Sequence, residues 1–153
     1  MPSRSEYFDQ LSETQKRGQA TEAILKMEFT LRDIPVLVPE YDNEPYDFVI
    51  EFADSTYKIQ AKTAYRHSDG TVRFETVSTR ARSEGYERDG YEGLIDYFAV
   101  YNPVLDEIYL VGIDEASSGK MEIRFREPAN NQQAGINWHT DFVLDHKLNE
   151  IRS

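Results

Sequence analysis

Read in order, the chain offers one long helix, a series of short strands and a closing helix, and that order predicts an α+β domain or a mixed α/β/α sandwich. Three observations carry the prediction. Apolar residues recur at helical spacing up to Leu31. From Val36 to Arg126 the apolar residues alternate with polar ones, or run in short β-prone blocks bounded by turn sequences. A last helical pattern carries Phe142, Leu144, Leu148 and Ile151. With 153 residues and no repeat or low-complexity tract, one domain over 1–153 with a sizeable core is expected.

Met1 to Leu11 is polar and reads as a loosely held end. Ser12-Glu13-Thr14-Gln15 fits a capping box, with Ser12 as N-cap, and predicts a helix to about Leu31 that stops near Asp33, before Pro35. One row of this helix is apolar (Ala20, Ile24, Met27, Leu31). A second row, Gly18, Glu22, Leu25 and Phe29, sets Glu22 one turn ahead of an apolar stripe, as a core-edge carboxylate or a metal ligand. Gly18 would allow close backbone approach. Val36-Leu37-Val38 reads as a short strand, followed by a polar loop from Pro39 to Pro45.

The stretch Tyr46 to Thr63, YDFVIEFADSTYKIQAKT, alternates as two strands joined by a turn at Asp54-Ser55. That turn would set Glu51 opposite Lys58 as a structural ion pair, Val49 opposite Gln60, and Asp47 opposite Lys62. A carboxylate, an amide and an ammonium group then share one face. Ser68-Asp69-Gly70-Thr71 predicts a hairpin turn into a strand from Val72 to Val77, with Arg66 opposite Arg73. Ser78 to Gly93, with its glycine breaks and three arginines, reads as a mobile loop over the site. Tyr97 to Tyr101 and Glu107 to Ile113, split by Asn102-Pro103, predict a buried hairpin after a short helical turn. Met121 to Arg126 alternates as a further strand, Glu127 to Gly135 is a polar loop, and Thr140 is expected to cap the final helix.

Composition narrows the function. The absence of cysteine removes disulfides, thiolate zinc sites and cysteine nucleophiles together. No apolar run has membrane-spanning length and no leader pattern opens the chain, so a soluble cytoplasmic protein is expected, with no membrane partner. The net charge of −11 either repels phosphate or belongs to a salt-adapted surface. Its distribution is uneven. From Lys58 to Arg88 seven basic residues (Lys58, Lys62, Arg66, Arg73, Arg80, Arg82, Arg88) face four acidic ones, so this window is +3 and the rest of the chain −14. A basic stripe on an acidic body suits an anionic ligand. The serines have no partners for a nucleophilic triad, His67, His139 and His146 lack metal-ligand spacing, and no glycine pattern matches a phosphate loop.

Glu22 on a helix, Asp47 on a strand, and Gln60-Ala61-Lys62 on the next strand resemble the PD-(D/E)XK nuclease superfamily. The phrase YKIQAKT is most similar to its intron-homing-endonuclease and archaeal Holliday-junction-resolvase-like branches. Tyr46 stands where the motif often has proline, and Gln60 replaces the usual acid, removing one negative charge. The resemblance implies a restriction-endonuclease-like α/β/α core, a central mixed sheet flanked by helices. It also implies a metal-dependent endodeoxyribonuclease in which Glu22, Asp47, Gln60 and Lys62 are catalytic. Mg²⁺, with Mn²⁺ as substitute, would be bound by Glu22, Asp47, Gln60 and the carbonyl of Ala61, because a hard cation prefers oxygen ligands. Arg66, Arg73, Arg80, Arg82 and Arg88 would hold the DNA backbone. Tyr65, Tyr86 and Tyr91 near this window could stack on bases. Cutting both strands implies a homodimer or homotetramer. The alternatives are a structure-selective Holliday junction resolvase and an inactive DNA-binding or protein-interaction module of the same fold.

Overall fold

A computed structural model describes residues 1–82, 85–91, 93–128 and 135–153, with backbone alone for 78–82 and 85–89. Its framework is a five-stranded mixed sheet. Strands β1 (Val36–Leu37), β2 (Phe48–Phe52), β3 (Ser55–Thr63), β8 (Tyr97–Asn102) and β9 (Glu107–Gly112) lie in the order β1-β2-β3-β8-β9. β3 and β8 run parallel, and every other neighbouring pair is antiparallel. A second sheet of β4 (Tyr65–Ser68), β5 (Thr71–Glu75) and β10 (Lys120–Arg124) has the order β10-β5-β4. Strands β6 (Val77–Arg82) and β7 (Gly85–Gly90) form a separate two-stranded ribbon. The helices are α1 (Arg4–Asp9), α2 (Thr14–Leu31) and α3 (Leu144–Arg152).

Alternate residues of β8 and β9 point to opposite faces, and both faces are covered. Ala99, Tyr101 and Leu110 join Phe48, Ile50 and Ile59 under the helices, against Phe8 of α1, Leu25 and Phe29 of α2, and Leu144 and Leu148 of α3. Phe98, Val100, Tyr109 and Val111 face the second sheet, against Val72, Phe74, Met121 and Ile123. Helices therefore cover one side of the main sheet and strands the other. Among the described residues no helix is long and apolar enough to cross a membrane.

Local chemistry explains where the structure departs from the sequence reading. The amino-terminal segment is not a loose end. Ser3 and Glu6 form the capping box of α1, each side chain accepting the other's backbone N–H, and Phe8 is buried. The box expected at Ser12 and Gln15 is absent: α2 starts at Thr14 with Glu13 as N-cap and no side-chain cap. Its buried stripe is Thr21, Leu25 and Phe29, whereas Met27 and Leu31 are exposed. Gly18 permits no close approach, since a Cβ there would meet nothing within 4 Å. Thr140 lies in a 3-10 turn (His139–Asp141) ahead of α3 rather than capping it.

The β2–β3 turn is Ala53-Asp54, both in the left-handed region (φ 51° and 64°). This is a two-residue loop whose twist matches the strands it joins. Glu51 therefore faces Thr56, Lys58 faces Val49, and the expected Glu51–Lys58 pair does not form. The error shifts every partner by two residues, so each side chain keeps its predicted face. A bulge between Arg66 and Ser68 sets Arg66 opposite Val72 and Tyr65 opposite Arg73, so the two arginines are not opposed. Where a mobile loop is expected from Ser78 to Gly93, the described residues from Val77 to Gly90 form the β6–β7 strands, Val77 pairing with Gly90 and Arg82 with Gly85. The expected buried hairpin is present, and Asn102 turns it by accepting the Val104 N–H at 2.9 Å. The polar loop after Glu127 lies mostly outside the described residues.

Candidate active site

The site forms where β2 stops and β3 continues. The ladder between them ends at Phe48 and Ile59. One step further, the Asp47 N–H donates to the Ile59 carbonyl at 2.8 Å, and the Asp47 side chain replaces the missing strand: its Oδ2 accepts the Ala61 N–H at 2.8 Å. A residue's N–H and C=O leave a strand on the same side, so the Ala61 carbonyl faces this gap too. The register continued by one pair sets Asp47 beside Gln60. Both line an open cleft of about 490 Å³ with Tyr91, Leu94 and the 42–45 segment.

Lys62 follows on the face shared with Gln60, half-buried. Its ammonium lies 5.0 Å from the Tyr91 ring centre and donates to the Tyr91 hydroxyl at 3.4 Å. From the helix side, Thr21 and Thr63 exchange a hydroxyl hydrogen bond of 2.7 Å that fixes α2 against the end of β3. Glu22, the next residue, pairs with Lys26 at 3.0 Å.

Electrostatics ties these groups together. Burial is the main cause that pushes the Asp47 carboxyl above its usual range, opposed by the Ala61 N–H bond. The charge of Glu22 raises it further, while Lys62 and Lys26 pull it down. Burial likewise lowers the Lys62 ammonium, against the opposing pull of Asp47 and Glu75. The like charge of Glu22 acting on Asp47, with the Gln60 amide and the Ala61 carbonyl at the same gap, makes an oxygen-rich set that a cation would suit.

A model of the PD-(D/E)XK endonuclease family matches residues 12–145. The chain belongs to the PD-(D/E)XK endonuclease family. A solved structure of a bacterial homing endonuclease, I-Ssp6803I, is similar over 92% of this chain and 94% of that chain, with a TM-score of 0.74 and 17% identity. No curated protein matches. The fold is therefore restriction-endonuclease-like, a mixed α+β core, and membership of the PD-(D/E)XK family supports nuclease activity on DNA.

Within this PD-(D/E)XK chain, Asp47, Gln60, Ala61 and Lys62 share one end of β3, and Glu22 of α2 acts on Asp47 through its charge. Among the described residues no group of three or more His, Cys, Asp or Glu side chains is placed to hold a metal. A cation there would draw on two carboxylates completed by amide and carbonyl oxygens, which is a donor set of the kind hard divalent ions accept.

Of the five arginines expected at DNA, the side chains of two are described. Arg66 is exposed on β4, Arg73 pairs with Glu122 at 3.6 Å on the outer face of the second sheet, and the side chains of Arg80, Arg82 and Arg88 lie outside the described residues. Sequence reasoning missed Lys26, Glu75 and the contact of Tyr91 with Lys62. Lys26 stands one turn after Glu22 on the same helix face, a spacing that signals an ion pair. Tyr91 and Glu75 carried no local signal, because tertiary folding alone brings them to Lys62.

Proposed function

We propose that this chain is a divalent-metal-dependent endodeoxyribonuclease that hydrolyses phosphodiester bonds in DNA. Mg²⁺, or Mn²⁺ in its place, would be held by Glu22, Asp47, the Gln60 amide oxygen and the Ala61 carbonyl. When bound, such an ion supplies charge to offset the pentacoordinate phosphate and acidifies a water molecule. The protein's own part is placement. Asp47, which lines the cleft, is fixed by the Ala61 N–H. Gln60 adds an oxygen without adding charge. Lys62 orients the attacking water or stabilises the charge that develops on the phosphate oxygens. Arg66, Arg73 and the arginines of the β6–β7 ribbon, Arg80, Arg82 and Arg88, serve the DNA backbone. Cleavage of both strands needs two such sites, hence a homodimer or homotetramer.

The observation that carries this reading is Asp47 closing the broken β3 ladder within the cleft that Gln60 lines, with Lys62 on the same face. Plasmid nicking with Mg²⁺ or Mn²⁺ tests it: Asp47→Ala and Lys62→Ala should fold and bind DNA but lose cutting. Full activity in Asp47→Ala removes the metal assignment.

One feature favours a second reading. With Gln60 in place of an acid and two carboxylates in the set, the chain could be a DNA-binding module without cleavage. Retained DNA binding with no metal-dependent nicking by the wild type would select it.

A further inference from the structure

We propose that Tyr91 is a positioning residue for the Lys62 ammonium, and that it ties the β6–β7 ribbon to the reactive end of β3. The proposal rests on the role given above to Lys62.

Tyr91 is only 6% exposed. Its ring stands edge-on to Phe98 (5.5 Å, 88°), which belongs to the strand paired with β3, so it is fixed from below. Its carbonyl accepts the Leu94 and Ile95 N–H groups, at 2.9 and 3.3 Å, which fixes the backbone. The ring and hydroxyl then contact Lys62, in the wall of the cleft that also holds Asp47 and Gln60. A lysine side chain has four rotatable bonds, and an aromatic face with a hydroxyl acceptor selects few of its rotamers.

The chain path gives this contact a second meaning. The ribbon leaves the core after Glu75 and returns at Gly90, its first and last residues pairing as Val77 with Gly90. Thr76 anchors the outgoing root, its N–H bonded to the Gly119 carbonyl at 2.9 Å and its hydroxyl to the Ser117 carbonyl at 2.7 Å. Tyr91 is the first residue after the return. Both roots reach Lys62, Tyr91 by contact and Glu75 by its charge. A displacement of the ribbon by bound DNA is therefore delivered to the ammonium through one buried ring.

The test uses the full chain with Tyr91→Phe, Tyr91→Leu, Lys62→Met and the Tyr91→Leu/Lys62→Met pair. Single-turnover plasmid nicking is read at saturating Mg²⁺, DNA affinity without metal, and thermal unfolding in the absence of both. Tyr91→Leu should slow cutting about tenfold, the rate equivalent of one partly desolvated cation–ring contact, and leave DNA affinity within about twofold. Tyr91→Phe, which keeps the ring and loses only the hydroxyl acceptor, should cut about threefold more slowly than wild type. In unfolding, the Tyr91 and Lys62 changes should be non-additive. Wild-type cutting by Tyr91→Leu, or strict additivity, overturns the proposal. If Tyr91→Leu does not fold, Tyr91→Phe decides: a rate about threefold down with unchanged DNA affinity supports it, and an unchanged rate overturns it. Full cutting by Lys62→Met would instead overturn the nuclease role of Lys62, while additivity with an inactive Lys62→Met defeats this inference alone.

Discussion

The hydroxyl pair Thr21–Thr63 joins the helix that carries Glu22 to the strand that carries Lys62, each threonine being the chain neighbour of a candidate site residue. Thr21 is 1% exposed and the bond is 2.7 Å long. Thr21→Val keeps the volume but leaves the Thr63 hydroxyl without this partner. Thr63 is only half-buried, so water recovers part of the loss, and a cost of about 1–2 kcal/mol is expected. Thr63→Val strands the more deeply buried hydroxyl and should cost at least as much, about 2 kcal/mol. The double variant replaces both polar groups and should approach wild-type stability, a coupling of about 3 kcal/mol. Urea unfolding of the four proteins measures it. Cutting follows a different pattern: all three variants should be slower, because the bond that sets the height of Glu22 over β3 is lost in each. A double variant as unstable as the sum of the singles refutes the reasoning.

Further outcomes follow from the same geometry. The folded pKa of Asp47 is raised, so its contribution to stability is present below its unfolded pKa and is lost as pH rises through the folded value. Metal-free Asp47→Asn, which still accepts the Ala61 N–H, should therefore gain thermal stability over wild type as pH climbs from about 4 to 7, the unfolded carboxyl titrating near 4, while losing cleavage. Lys62 has the opposite sign: its lowered pKa gives stability present above the unfolded value and lost as pH falls through the folded one, so metal-free Lys62→Met should also melt higher at neutral pH. Ala53→Asn with Asp54→Gly suits both left-handed turn positions and should add about 1 kcal/mol in urea unfolding. Lys147, 5% exposed, is held by Glu115 and Glu150, and Glu115 also accepts the Gly112 N–H at 2.9 Å. Glu115→Ala should cost about 2–3 kcal/mol, more than the volume-preserving Lys147→Met, because it leaves a buried ammonium short of a partner.

The parts of the site that lay within one hairpin were legible in the sequence. Alternation along Tyr46 to Thr63 assigned Asp47, Gln60 and Lys62 to one face, and a turn misplaced by one residue left that assignment intact, because partners moved by two. The bulge at His67 did not forgive in the same way. It added a residue to one strand only, and so removed the predicted meeting of Arg66 and Arg73. Pattern alone does not decide capping: Ser3 with Glu6 and Ser12 with Gln15 both fit it, each ahead of its own helix, and of the two the first forms the box, while α2 starts one residue later than the second requires. The ribbon between Val77 and Gly90 was hidden by glycines that read as loop signals but stand at its ends. Tyr91 and Glu75 could not be found locally, since their relation to Lys62 exists only once β8 lies beside β3.

The parallel pairing of β3 with β8 has a lasting implication. Parallel neighbours cannot be joined by a tight turn, so the backbone must travel out and come back between Thr63 and Tyr97. Here that detour holds two strands of the covering sheet and the entire projecting ribbon. Such an excursion tolerates lengthening, shortening and rewriting at its far end, provided its first and last residues keep their seats. On the function proposed above, evolution can thus redraw how the ribbon meets DNA while Asp47, Gln60 and Lys62 keep their places.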